Sequence, residues 1–82
     1  MIDKSNVESA VYGFFLEKNV TVAPDSAVLR DGILDSMQIL EFLMFIEGQI
    51  GSEIDPGVVT VANFDTLEKF IDAVTESFDV RA

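Results

Sequence analysis

Apolar residues recur at intervals of three and four in three separate stretches of this chain, and proline and glycine break the pattern between them. That spacing commits each stretch to an amphipathic helix. In the first, Val7, Ala10, Val11, Phe14 and Phe15 share one face of a helix predicted from Ser5 to Lys18, with Ser5 and Glu8 spaced as a capping box. "NVTVAPDSAVLRDGIL" follows, residues 19–34, and holds no period. Pro24, Asp25 and Gly32 mark it as a long loop, and its "VTV" finds no convincing partner strand. A second helix is predicted from Asp35 or Ser36 to about Ile50, with Gly51 as its stop and Gly48 weakening its last turn.

In "SEIDPGVVTVAN", Pro56 suits the first turn of a short third helix ending near Val61, with an extended "VVTV" as the alternative. Asn63 or Asp65 is expected to cap a fourth helix, whose Leu67, Phe70, Ile71, Val74 and Phe78 again form a stripe. The expectation is one all-α domain over residues 1–82, a small four-helix bundle. It has three long helices, a short third one, and a long loop between helices one and two.

Size and charge narrow the function. A chain of 82 residues builds one modest core and has no second lobe to close a deep cleft. Fifteen acidic residues against five basic ones give a net charge of −10, which repels phosphate backbones and anionic membrane surfaces. Nucleic acid and membrane are therefore not expected as partners, and a protein with a basic surface is. The chain has no cysteine, so neither a disulfide framework nor a thiolate metal site can form. "MIDKSNVESAVYGFF" lacks the pattern of a secretory signal, and no stretch is long enough to span a bilayer. The reading is a soluble, cytoplasmic monomer.

Histidine is also absent, which rules out a Ser-His-acid triad. Chemistry by carboxylates alone needs two acids at fixed separation across an enclosed site, and a chain this short encloses little. The protein is not expected to be an enzyme by itself. No twelve-residue segment follows the acid-and-glycine scheme of a calcium loop: neither "PDSAVLRDGILD" nor "GSEIDPGVVTVA" fits.

The second helix carries more apolar surface than a bundle helix needs. Ile39, Phe42, Leu43, Ile46 and Ile50 lie together at 100° per residue and suffice to pack it on the core. Met37, Leu40 and Met44 fall instead on the side of Ser36, with Glu41 and Glu47 flanking them. One reading has this helix at the bundle's centre, buried on most sides. The other makes an adaptable Met and Leu patch rimmed with acids a docking surface.

Ser36 sits between Asp35, a natural N-cap, and that face, in "GILDSMQILEF". A cap requires only Asp35, so the serine asks for a reason of its own. Here the chain resembles the carrier proteins, a family that includes acyl, peptidyl and D-alanyl carrier proteins. "DSM" matches the family's Asp-Ser-Leu/Met attachment motif where a long loop meets the second helix. Gly32 precedes it, "EIDP" follows the second helix, and "NFDTLEKFIDAV" closes the likeness, which covers about Ser5 to Phe78. The resemblance implies that Ser36 carries 4′-phosphopantetheine, added from coenzyme A by a separate phosphopantetheinyl transferase. The arm's thiol would hold an acyl or aminoacyl group as a thioester, so the cofactor supplies the reactive group that the chain lacks.

Asp35 would orient the first turn, and a phosphodiester there would meet the favourable end of the helix dipole. The implied partners are the transferase, an adenylating ligase or acyltransferase that loads the arm, and downstream biosynthetic enzymes with basic docking surfaces. They would grip Met37, Leu40, Glu41, Met44 and Glu47. "GILDS" ahead of a helix holding Phe42, Phe45 and Gly48 looks most like D-alanyl carriers and free-standing carriers of specialised pathways, rather than carriers of core fatty-acid synthesis. The alternative is an unmodified helical interaction module, with Ser36 merely the first residue of a capped helix.

Overall fold

The computed structural model describes residues 3–60 and 62–81, with side chains through residue 78. Three α-helices form: α1 (Lys4–Glu17), α2 (Ser36–Ile50) and α3 (Leu67–Arg81), with one 3₁₀ turn at Pro56–Val58 and no strand among the described residues. The four-helix expectation is corrected here, because its short third helix is a single 3₁₀ turn. Asp55 receives the Gly57 N–H at 2.8 Å to start that turn. Its continuation would run through Val59 and Thr60, β-branched residues that favour leaving the helix.

The boundaries of α1 are set by side chains. Asp3 and Asn6 bond each other's backbone N–H reciprocally, at 3.0 and 3.1 Å, so the capping box is Asp3–Asn6 and Ser5 already lies within the helix. Starting at Lys4 also adds the Val7 N–H to Asp3 carbonyl bond, which a start at Ser5 would forfeit. At the other end Asn19 turns left-handed, at φ 57°. Val20 then donates to the Phe15 carbonyl and Asn19 to that of Leu16, a Schellman closure that folds Val20 back toward Phe15.

All five residues of the α1 stripe are buried, as are Leu67, Phe70, Ile71 and Val74 of α3; Phe78 is partly buried against them. The central helix is α1, which packs closely against both α2 and α3. On α2 only Phe42 and Ile46 are fully enclosed. Ile39, Leu43 and Ile50, expected in the core, are only partly buried, because α2 leans on the bundle along a narrow strip. Phe42 joins the layers: its ring centroid lies 5.2 Å from Phe14, 5.5 Å from Phe15 and 5.5 Å from Phe70.

The long connection between α1 and α2 is packed structure. Ala27, Val28 and Leu34 are buried, and the Val28 carbonyl accepts from both Ile33 and Leu34. Gly32 supplies the positive φ, 71°, at the turn between them. The same connection begins α3, since Leu67 donates to the Ser26 carbonyl at 3.0 Å and Glu68 to that of Pro24 at 2.9 Å. Thr66 Oγ1 receives the Lys69 N–H at 3.1 Å. The cap of the last helix is therefore Thr66, not Asn63 or Asp65. Asn63 instead ties down the 3₁₀ turn, donating from Nδ2 to the Val58 carbonyl at 2.7 Å.

Candidate functional site

Asp35 has extended backbone, φ −95° and ψ −179°, and Ser36 is the first residue of α2. The Asp35 carboxylate accepts the Gln38 N–H at 2.8 Å, while Gln38 Oε1 accepts the Asp35 N–H at 3.1 Å. This reciprocal pair fixes the angle at which chain enters helix, and with it the position of Ser36. Gln38 was not singled out from the sequence, although a Gln three residues after an Asp cap is a legible signal. Ser36 is exposed, and its N–H and that of Met37 belong to the first turn, where no carbonyl four residues back serves them.

Beyond Ser36 the outer face of α2 is apolar and open. Met37 is 77% exposed, Leu40 63% and Met44 71%. The helix is peripheral rather than central, so the reading that buried this stripe on most sides does not hold. Glu41 lies on one border of the stripe and meets Lys18 of the α1 C-cap at 3.5 Å, a pair with both side chains about half exposed or more. Such a pair is easily exchanged for another partner. Lys18 also stands over the Phe14 ring, 5.6 Å from its centroid.

Glu47, on the other border, is engaged differently. Its Oε2 accepts the Ile54 N–H at 2.8 Å in a partly buried bond that holds the connection after α2. Gly51, left-handed at φ 72°, closes the helix just before that connection. The acid expected to pair with partners thus has a structural duty inside this chain. Of the six other candidate residues, Asp35, Ser36, Met37, Leu40, Glu41 and Met44 are all exposed.

Among the described residues no polar or charged side chain is buried. None of His, Cys, Asp or Glu gathers there in groups of three or more that could hold a metal. No helix of the described chain is long and apolar enough to cross a membrane. The arrangement presents a hydroxyl at a capped helix start, with an apolar face beside it. No family model, curated protein or solved structure matches the chain.

Proposed function

We propose that this protein is a carrier: Ser36 bears a 4′-phosphopantetheine arm and delivers an acyl or aminoacyl group to partner enzymes. The observation that carries the reading is the exposed Ser36 hydroxyl at the first position of α2, held by the Asp35–Gln38 pair and bordered by the open face of Met37, Leu40 and Met44.

The residues present fit the group. Modification joins Ser36 Oγ to the phosphorus of the pantetheine phosphate, breaks the pyrophosphate of coenzyme A and releases adenosine 3′,5′-bisphosphate, the hydroxyl proton passing to the transferase. A phosphodiester on Ser36 would place its negative charge at the positive end of α2, where the first-turn N–H groups of Ser36 and Met37 would favour it. Asp35 keeps its carboxylate on the Gln38 N–H and so holds that turn in shape. When attached, the arm supplies a thiol that takes its cargo as a thioester. Met37, Leu40 and Met44 give partners apolar contact next to the attachment point, and Glu41 offers them a carboxylate. The net charge of −10 draws basic surfaces toward the chain. Cargo activated as an adenylate, in a dedicated pathway, accords with the "GILDS" context and the aromatic character of α2.

The open face also supports a second reading, an unmodified interaction module that uses the same residues. Incubation with coenzyme A and a broad-specificity phosphopantetheinyl transferase, followed by mass measurement, separates them. The carrier gains one phosphopantetheine, and Ser36→Ala does not. No gain with an active transferase leaves the interaction module.

A further inference from the structure

Two of the chain's three methionines, Met37 and Met44, stand on the open face of α2, 77% and 71% exposed, and the third, Met1, lies outside the described residues. Seven residues make almost two helical turns. The two side chains therefore leave α2 within about 20° of one another and about 10.5 Å apart along its axis. Both point away from Phe42 and Ile46, the residues of α2 that the core encloses, and neither packs against the core elsewhere.

Composition makes these sulfurs the places where an oxidant acts. A thioether gives up two electrons to a peroxide, and the side chains that would compete for it are missing, because the chain has no cysteine, tryptophan or histidine. Exposure gives the oxidant access to both sulfurs. The sulfur lone pair takes one oxygen of hydrogen peroxide, the O–O bond breaks, and the proton on the transferred oxygen passes to the departing hydroxide, which leaves as water. Sulfur is oxidised and the peroxide reduced by two electrons. A polar sulfoxide then stands where an adaptable apolar side chain stood. Buried against an apolar partner surface, its oxygen loses the donors that water supplies. Leu40 is left as the apolar residue of the stripe.

We infer that Met37 and Met44 form a reversible oxidation site: peroxide converts the α2 face from apolar and partner-binding to polar and weakly binding. A methionine sulfoxide reductase restores the thioethers with a dithiol, which ends as a disulfide while the oxygen leaves as water. The loss of partner binding rests on the carrier reading; uptake of oxygen at the two sulfurs does not.

The test treats the full chain, before any arm is attached, with hydrogen peroxide and removes the excess with catalase. The sample is divided between peptide mapping, calorimetry and loading from coenzyme A by the transferase. Mapping is expected to place one oxygen on each of Met37 and Met44 at the rate at which free methionine is oxidised, with the melting temperature unchanged. The transferase's KM for the oxidised chain should rise about five- to tenfold, the loss of one good apolar anchor from an interface, with kcat little altered. Reductases for both sulfoxide epimers should return KM to its starting value. In the double variant Met37→Leu, Met44→Leu, whatever its own KM, peroxide should change nothing.

Oxidation many times slower than that of free methionine overturns the site. A KM that rises equally in the double variant overturns the switch, as does a fall in melting temperature that accounts for the lost loading. A chain that takes up both oxygens but gains no mass from coenzyme A even before treatment loses the carrier reading and keeps the oxidation site. One that loads equally well before and after complete oxidation keeps the carrier reading and loses the switch.

Discussion

Glu47 Oε2 accepts the backbone N–H of Ile54 at 2.8 Å, so a carboxylate at the edge of the exposed α2 face pins the chain that leaves that helix. Ile54 is 6% exposed and belongs to the core, which makes its N–H costly to strand. Glu47→Lys is expected to lower stability by about 1–3 kcal/mol, a drop in melting temperature of about 4–8 °C for each kcal/mol. Glu41→Lys, which removes only the contact with Lys18, should stay within about 0.5 kcal/mol of the parent. Equal melting temperatures for the two variants would show that the Ile54 bond contributes nothing.

Ser36 and Asp35 are neighbours with separable duties. Ser36→Ala should abolish loading and leave the melting temperature unchanged, because an exposed hydroxyl at the first helical position contributes little and Ala favours the helix. Asp35→Ala removes the cap on Gln38 and should cost about 1 kcal/mol while slowing modification. Calorimetry beside a mass-based loading assay reads both. A stability loss for Ser36→Ala matching that of Asp35→Ala would make the serine structural.

Recognition by partners should divide by salt. Met44→Ala removes apolar area at the middle of the open face and should slow modification at any ionic strength. Glu41→Lys should slow it chiefly at low salt, where charge steers encounter within a screening length of about 10 Å at 0.1 M. Transferase kinetics for both, against Glu76→Lys as a control on another exposed surface, provide the check. A control as impaired as Glu41→Lys would reduce recognition to bulk charge.

Phe42 carries the core of α2. It is fully buried against rings from α1, α3 and the connection between α2 and α3. Phe42→Ala is expected to cost about 3–5 kcal/mol, and the reverse face substitution Leu40→Ala less than about 1 kcal/mol. Urea midpoints measure both, and comparable losses would mean that α2 packs on its other side.

Stability should fall in alkali through two groups. A hydrogen bond and then the charge of Asp72, 3.0 Å away, raise the Lys4 ammonium above its ordinary value, and burial raises the Tyr12 phenol. A raised folded pKa favours folding below the unfolded value, and the benefit disappears as pH climbs through the folded one. The loss therefore belongs above about pH 10, where both groups deprotonate. Urea midpoints from about pH 9 to about pH 11 should fall less steeply in Lys4→Met and Tyr12→Phe than in the parent. Parallel slopes in all three would remove these groups from the account.

The sequence by itself determined what depends on residues within a turn or two of each other. The α1 and α3 stripes follow from spacing, and Asp35 and Gly51 bound α2 because a cap acts on the N–H groups or carbonyls of its own helix end. Spacing placed Met37, Leu40 and Met44 away from Phe42 and Ile46, but left open whether a neighbouring helix would cover them. Tertiary structure decided the rest. That α1, not α2, is central could not be read from the stripes, since each shows only that its own helix has a face to bury. Leu67 and Glu68 begin α3 on the carbonyls of Ser26 and Pro24, and Val28 and Leu34 bury a connection whose sequence shows no period. Glu47 looks like any surface acid until Ile54 returns to it. Those partners meet only after the chain has folded back, and a backbone donor or carbonyl carries no mark in the sequence of the distant group that will satisfy it.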